Sequence, residues 1–307
     1  MSKPSMTTLS IILNITSSIS IVMLNKWIYT HYGFPNITLT FIHFLVTFLG
    51  LKICEMMNIF NHKSVQLKDC LPLAMSFCGF VVLTNLSLQH NTVGTYQLIK
   101  VLTTPCIMMI HTYMYNKKYS YQYHLSLIPI TFGVFLNTYY DVAFNSLGIF
   151  FAGLGVVVTS FYQVWVGKLQ KDLNINSMQL LYYQAPLSAM LLLFVIPFFE
   201  NVYGEKGLIY PWPMKVWIAV FASGIIAFSV NLTIFWIIGN TSPVTYNMVG
   251  HLKFCLVLII GYLLFNSPMM VNQIFGLLST LLGVFYYSHL KLREQEAQKK
   301  AVSTRRV

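Results

Sequence analysis

Two lysines fall inside long apolar stretches of this sequence, where a positive charge needs a physical reason. Lys100 follows Tyr96 by four residues and Lys253 follows Tyr246 by seven, and both spacings return to the same face of a helix. A lysine near the centre of a bilayer costs about 2.5 to 3.5 kcal/mol on insertion scales, so each needs an anion or a water-filled cavity. Each stretch therefore predicts a tyrosine ring beside an ammonium group, a pair suited to a phosphate and a stacked base.

Acidic residues are placed away from these two lysines in the sequence. The eight Asp and Glu residues lie at the ends of apolar stretches or in loops: Glu55, Asp69, Asp141, Asp172, Glu200, Glu205, Glu294 and Glu296. The counter-charge is then most simply a phosphorylated small-molecule substrate. The alternative, in which both lysines reach an interface or hydrogen-bond to carbonyls, stays open.

Other polar residues lie near the lysines or recur along the chain. Gln97, Thr104 and Asn247 have side chains that hydrogen-bond to sugars and bases, and we expect them in the same site. Asn85 and Asn231 recur at matching places in the two halves of the chain. Each of these asparagines could bind substrate or join neighbouring helices.

The remaining chemistry-bearing residues do not form a recognisable catalytic or metal motif. His111 and His251 have no partners at metal-ligand spacing, which favours a packing role for each. The sequence contains no phosphate-binding loop for ATP, no zinc-protease motif and no Ser/His/Asp constellation above chance. We therefore expect no enzymatic activity, no cofactor and no metal site.

The elements that carry these residues are predicted to be membrane-spanning helices. Of the 307 residues, 56% are hydrophobic and 9% are charged, with a mean hydropathy of +0.64, which excludes an ordinary soluble enzyme. The predicted fold is an all-α integral membrane protein with a lipid bilayer as its surroundings. Ten apolar spans are predicted: 6–25, 37–58, 70–89, 94–114, 121–138, 147–167, 177–198, 213–237, 244–265 and 270–289.

The basic residues orient this chain in the membrane. Of the 19 Lys and Arg residues, two lie inside spans, three (Lys26, Lys206 and Lys215) lie on one side and the other 14 lie on the opposite side. Because cytosolic loops carry the excess of Lys and Arg, both termini are predicted to be cytosolic. The net charge of +11 therefore predicts orientation and not a nucleic-acid partner.

The sequence also contains a long-range repeat. The order Asn85, then Thr95-Tyr96, then Lys100 recurs as Asn231, then Thr245-Tyr246, then Lys253, about half the chain later. The predicted organisation is residues 1–145 and 146–290 as two five-helix repeats, followed by a basic cytosolic tail at 291–307. Since five is odd, the second repeat enters the membrane from the opposite face, which is the inverted-repeat design of many secondary transporters.

At these two lysine stretches the chain resembles the triose-phosphate translocator and nucleotide-sugar transporter branch of the drug/metabolite transporter superfamily, and within it the E subgroup of solute carrier family 35. The resemblance implies ten helices in two inverted halves, a Golgi or endoplasmic reticulum membrane, and exchange of a nucleotide sugar for a nucleoside monophosphate. It also implies that Lys100 and Lys253 hold phosphate. The residues that carry the resemblance are 24–29, 76–82, 95–105, 181–186 and 238–253.

Departures from the family patterns narrow the expected substrate. Triose-phosphate translocators carry Lys-Arg where this chain has Lys253-Phe254. GDP-mannose carriers have Phe-Tyr-Asn-Asn and Gly-Ala-Leu-Asn-Lys motifs where this chain has Tyr182–Ala185 and Gly250–Lys253, which lack those asparagines. A UDP-sugar is the expected substrate, with another phosphorylated metabolite, such as a sugar phosphate, as the alternative. A receptor is disfavoured by the ten spans and their duplication, and a homodimer is left open.

Overall fold

The structure, a computed structural model, describes residues 3–139, 145–204, 206–265 and 270–304. All regular secondary structure in these ranges is helical, as the composition predicts. The helices are α1 (Lys3–Tyr32), α2 (Asn36–Met56), α3 (Leu67–His90), α4 (Val93–Lys100), α5 (Thr103–Tyr115), α6 (Tyr121–Thr138), α7 (Ser146–Asp172), α8 (Ser177–Phe199), α9 (Met214–Asn240), α10 (Pro243–Phe265) and α11 (Val271–Thr304).

Within those described ranges, six helices are long and apolar enough to cross a membrane by length and composition. They are α2, α3, α7, α8, α9 and the part of α1 from Met6 to Tyr32, and the shorter segment Pro243–Ile259 of α10 is also apolar. The fold class of an all-helical integral membrane protein is thus confirmed. The count of ten spans and the inverted repeat remain predictions.

The predicted span 94–114 is not one helix but two, and Lys100 lies at the break. Pro105 has no backbone N–H to donate to the carbonyl of Val101 four residues earlier, and its ring crowds that carbonyl, so the helix hydrogen bond at this point is missing. Instead, the carbonyl of Val101 accepts a hydrogen bond from the N–H of Thr104 at 3.3 Å, a tighter bond over three residues. The predicted span is therefore built from two helices, although a proline does not always have this effect: α3, α6 and α8 continue through Pro72, Pro129 and Pro186.

Two predicted ends also differ from the structure. The first helix was predicted over 6–25, but α1 continues until Gly33, which adopts a φ of +68° and donates its N–H to the carbonyl of Tyr29 at 2.9 Å. Glycine reaches this left-handed conformation without a steric penalty, so it ends the helix. At the other end, α11 runs through the predicted tail to Thr304, so residues 291–304 are helical.

The chain packs as two compact units, of which unit 1 comprises Met1–Asn85 and Val157–Tyr246. In unit 1, α1 packs along α9, and α2 packs against α8 and α9. Polar side chains tie these helices together, as expected where lipid offers no competing hydrogen bonds. The bonds join Asn14 to Thr233 at 2.8 Å, Ser17 to Ser229 at 3.0 Å and His43 to Ser223 at 2.9 Å.

The carboxylate of Glu200 caps the N-terminus of α2 within unit 1. Glu200, directly after α8, accepts hydrogen bonds from the backbone N–H groups of Ile37 and Thr38, the latter at 2.9 Å. The Thr38 hydroxyl also donates to this carboxylate at 2.8 Å. These first N–H groups have no partner inside the helix, and a negative charge there is stabilised by the helix dipole. Glu200 therefore holds the end of α8 to the start of α2.

Unit 2 comprises Leu86–Val156 and Asn247–Val307. Here α6 packs along α11, with α4 against α6. Gly133, Gly276 and Gly283 let the two long helices approach closely: a Cβ built on Gly276 would lie 2.6 Å from the carbonyl oxygen of Gly133. Small residues at such a crossing are the usual means of close packing between membrane helices.

Each packing unit contains segments from both of the predicted sequence halves, 1–145 and 146–290. The halves describe duplication in the sequence, whereas the units describe which helices pack together. The division into halves therefore stays a prediction.

Candidate functional site

The two helices that carry the lysines begin with the same side-chain cap. Before α4, the hydroxyl of Thr92 accepts a hydrogen bond from the N–H of Thr95 at 3.2 Å. At the start of α10, the hydroxyl of Ser242 accepts from the N–H of Thr245 at 3.1 Å. A hydroxyl that accepts a hydrogen bond from an N–H of the first turn is a common feature of helix N-termini. Positions in the two helices can therefore be compared by counting residues from the cap.

Counted from these caps, the tyrosines coincide but the lysines do not. Tyr96 and Tyr246 each lie four residues after the cap, whereas Lys100 lies eight and Lys253 eleven residues after it. At about 1.5 Å of rise per residue, Lys253 is about 4.5 Å further along its helix than Lys100 is along α4. The two lysines are thus related but shifted by nearly one turn.

Tyr96 and Lys100 lie on the same face of α4, as their spacing of four residues predicts. The Nζ atom of Lys100 lies 5.5 Å from the centre of the Tyr96 ring, within the range of a cation–π interaction. Lys100 is the last residue of α4 and its side chain is exposed. The break after α4 therefore presents an ammonium group beside an aromatic face.

Lys253 lies in unit 2 together with Lys100, and the two side chains interact electrostatically. Lys253 is half-buried on α10, while Lys100 is exposed. Two like charges near each other repel, and an anion carrying about two negative charges would offset both. The structure thus brings the two sequence-predicted cations into one neighbourhood.

Open space adjoins the helix face that carries Lys253. Gly250 precedes Lys253 by three residues and follows Tyr246 by four, so the three residues share one face of α10. A Cβ built on Gly250 would meet no atom within 4 Å. This part of α10 therefore leaves room for the atoms of a ligand.

The smaller polar residues predicted near the lysines have different environments. Thr104, in the first turn of α5 directly after the break, is 1% exposed, and its hydroxyl oxygen has no hydrogen-bond partner. Gln97 on α4 and Asn247 on α10 are both half-buried. All three belong to unit 2 with the lysines.

The other three predicted site residues belong to unit 1 and have partners there. Tyr246 packs against the hydrophobic core of unit 1. Asn231 donates from its side-chain amide to the hydroxyl of Thr47 at 3.1 Å, and Asn85 accepts from the amide of Asn36 at 2.6 Å. For both asparagines the sequence left a choice between binding and helix association, and the structure gives each an interhelical hydrogen bond.

His251 was predicted from the sequence to have a packing role, but one of its ring nitrogens has no hydrogen-bond partner in the structure. The buried Nε2 atom of His251 on α10 has no hydrogen-bond partner, and its ring interacts electrostatically with Lys100. His111, by contrast, pairs its Nδ1 with the hydroxyl of Tyr119 at 2.6 Å. A histidine two residues from an intramembrane lysine was the available sequence signal, which a search for metal spacing does not detect.

Of the ion pairs recorded in the described part of the chain, two lie at the ends of α2 and α7 and one lies within α11, all on the side predicted to be cytosolic. They join Lys52 to Glu55 at 2.8 Å, Lys168 to Asp172 at 3.8 Å and Lys291 to Glu294 at 3.3 Å. These pairs are partly exposed, and such pairs contribute little to stability. The acidic side chains of these pairs lie at span ends, as the sequence predicts.

Comparison with known proteins gives one consistent family. The chain matches the Triose-phosphate Transporter family over residues 7–288. UDP-xylose transporter 3 of Arabidopsis thaliana is 35% identical, covering 95% of this chain and 82% of that protein. UDP-rhamnose/UDP-galactose transporter 2 and GDP-mannose transporter GONST5, both from Arabidopsis thaliana, are 29% and 27% identical and cover 94% and 89% of this chain and 84% and 82% of their own lengths.

A solved crystal structure has the same fold. It superimposes with a TM-score of 0.73 over 94% of this chain and 98% of its own, at 13% sequence identity. At this identity the similarity shows the fold alone.

Proposed function

Because this chain belongs to the Triose-phosphate Transporter family and is a transporter rather than an enzyme, we propose that it is a secondary antiporter for a nucleotide sugar. The exchanged partner is a nucleoside monophosphate, and a UDP-sugar is the preferred substrate. The observation that carries this proposal is the placement of Lys100 and Lys253 in one electrostatic neighbourhood beside open space on α10. A phosphate carries the negative charge that two ammonium groups attract, and lysine is a common phosphate-binding residue.

Charge balance supports exchange as the mode of transport. The diphosphate of a UDP-sugar carries about two negative charges, and a nucleoside monophosphate carries about 1.5 to 2 near pH 7. Either ligand offsets the two lysines, so a loaded carrier crosses the low-dielectric membrane at a lower cost than an empty one. Exchange then runs on concentration gradients, without ATP.

The neighbours of the lysines suit the rest of such a ligand. The ring of Tyr96 offers a face for a base, while Gln97, Asn247 and Thr104 offer hydrogen bonds to sugar or base. The relatives named above for UDP-sugars support uridine over guanine. Tyr246, Asn231 and Asn85 remain predicted substrate-binding residues. Within unit 1, Asn231 and Asn85 also hold hydrogen bonds between helices.

The proposal includes an orientation and a compartment. Both termini face the cytosol, the sequence halves 1–145 and 146–290 form inverted repeats of ten spans in all, and the membrane is that of the Golgi or the endoplasmic reticulum. The distribution of basic residues supports the orientation. A homodimer is compatible with this arrangement.

Uptake by the purified full chain in liposomes tests the proposal. The panel contains UDP-xylose, UDP-galactose, GDP-mannose and a triose phosphate, each offered to vesicles loaded with UMP. We expect uptake of a UDP-sugar, and loss of that uptake in Lys100→Ala and Lys253→Ala with normal membrane insertion, since removing an intramembrane charge lowers the insertion cost. Lys215→Ala, which removes an exposed lysine at the start of α9, is the matched control and should keep the wild-type rate.

The same panel distinguishes the alternative substrate. Uptake of triose phosphate without any nucleotide sugar would replace the proposal with a phosphorylated-metabolite exchanger that uses the same lysines. Wild-type rates in either intramembrane lysine variant would show that the lysine concerned is structural.

A further inference from the structure

An orphan hydrogen-bonding atom lies beside the two lysines. The Nε2 atom of His251 is buried and lacks a hydrogen-bond partner. A buried polar atom without a partner is costly, and in native proteins it calls for a specific explanation such as a ligand that completes it. Packing alone would be served better by an apolar residue of similar volume.

The surroundings of His251 indicate what that partner is. Its ring interacts electrostatically with Lys100, which also interacts with Lys253, and all three belong to unit 2. Asn247 precedes His251 by one turn on the same face of α10, and the neighbouring Gly250 borders open space. A group that enters this cationic neighbourhood is an anion, and an anion's oxygens are acceptors for an imidazole N–H.

We propose that His251 is a further substrate-binding residue, whose Nε2–H donates a hydrogen bond to a phosphoryl oxygen of the ligand held by Lys100 and Lys253. This inference rests on the proposed function, because it needs a phosphorylated ligand. A neutral imidazole supplies this donor without adding a third positive charge to the site. An ammonium group acts mainly as a point charge, whereas an imidazole N–H donates in one direction. His251 would therefore add a directional contact to the charge attraction of the two lysines.

Three substitutions separate this role from packing. His251→Gln keeps an N–H donor near the position of Nε2, His251→Asn has a shorter side chain that does not reach it, and His251→Leu keeps a similar volume without a donor. A donor role predicts that Gln retains binding while Asn and Leu lose it. A packing role predicts that Leu is the best tolerated of the three.

Ligand-induced thermal stabilisation of the purified full chain measures these differences, with UDP, UMP and inorganic pyrophosphate as probes. We expect His251→Gln to bind UDP within about threefold of the wild type, and His251→Leu and His251→Asn to bind UDP and pyrophosphate about tenfold more weakly. The melting temperature of His251→Leu without ligand should be no lower than that of the wild type, because the substitution removes a buried nitrogen that has no hydrogen-bond partner.

The outcomes separate the failure of this inference from the failure of the proposed function. Wild-type affinity for UDP in His251→Leu, with Lys253→Ala unable to bind, would overturn the role of His251 and leave the lysine site intact. Weaker UDP binding with unchanged pyrophosphate binding would overturn the assignment to a phosphoryl oxygen. A wild-type protein that none of the three probes stabilises would overturn the proposed function itself.

Discussion

Adding a side chain at Gly250 should block transport without harming the fold. A Cβ at this position meets no atom within 4 Å, so the substitution Gly250→Leu fills open space on the face of α10 that carries Lys253. The fold loses no contact, and replacing a helical glycine with a better helix former adds up to about 1 kcal/mol of helix stability. The added side chain occupies space that the proposed ligand needs, so exchange should fall at least about tenfold, equivalent to about 1.4 kcal/mol of lost binding.

Two other glycines provide the comparison. Gly153 on α7 also has no atom within 4 Å of a built Cβ, so Gly153→Leu is the matched control and should exchange at the wild-type rate. Gly133 on α6 is the opposite case, because a Cβ there would lie 2.7 Å from the backbone nitrogen of Thr280 on α11. Overpacking of this kind costs about 1 to 3 kcal/mol, so Gly133→Ala should lower the melting temperature.

The assay pairs the melting temperature of each purified variant with the initial rate of exchange in liposomes. The expected pattern is a stable but inactive Gly250→Leu, a stable and active Gly153→Leu and a destabilised Gly133→Ala. Full exchange activity in Gly250→Leu would refute the reasoning, since the open space would then lie outside the ligand's path.

Three further predictions follow from local contacts and charge. Tyr96→Phe keeps the ring beside Lys100 and should leave the KM unchanged. Tyr96→Leu removes the aromatic face proposed for the base and should raise the KM at least about fivefold, equivalent to about 1 kcal/mol of lost stacking, and equal KM values would contradict this role. The hydrogen bond that Tyr123 donates at 2.7 Å holds the pKa of the Glu294 carboxyl below its ordinary value. The stability that this bond gives the fold is therefore present at a pH above the ordinary pKa, and it is lost as the pH falls through the lowered pKa. Tyr123→Phe should accordingly lower the melting temperature at neutral pH and lose this effect in acid, and a pH-independent difference would count against it. A C-terminal tag on sealed vesicles should be removed by external protease, and a tag that survives until detergent is added would reverse the orientation.

The class of the protein could be predicted, and the two candidate lysines could be singled out, because their signals are local and strong. Charged residues are rare in a membrane span, so Lys100 and Lys253 are conspicuous in the sequence. Helix geometry alone then predicts that Tyr96 faces Lys100, since four residues make about one turn. Such inferences need no knowledge of how the helices pack.

Helix breaks inside apolar stretches were harder to predict than the stretches themselves. The break after Lys100 lies where Pro105 removes a helix hydrogen bond, but α3, α6 and α8 continue through prolines, so a proline alone does not predict a break. The corresponding position after the cap of α10 is Cys255, and α10 continues through it to Phe265. The two stretches that carry the lysines thus differ at this position, a difference that a hydropathy pattern does not register.

The role proposed for His251 could not be inferred from the sequence because it depends on what surrounds one nitrogen atom. Hydropathy and metal spacing describe residue types along the chain, whereas an unsatisfied donor is defined by its neighbours in space. For Asn85 and Asn231, likewise, the helix partners Asn36 and Thr47 are distant in sequence. Long-range pairing of this kind requires the folded structure.

Trans-acceleration of uptake tests the central claim most directly. Labelled UDP-sugar is offered to proteoliposomes that are either empty or loaded with UMP, in parallel for the wild type, Lys100→Ala and Lys253→Ala. The proposed mechanism predicts rapid uptake by the wild type into loaded vesicles, little uptake into empty ones, and only background uptake by both variants. Equal uptake into empty and loaded vesicles would contradict obligatory exchange, and transport by either variant at the wild-type rate would contradict the phosphate-binding role of its lysine.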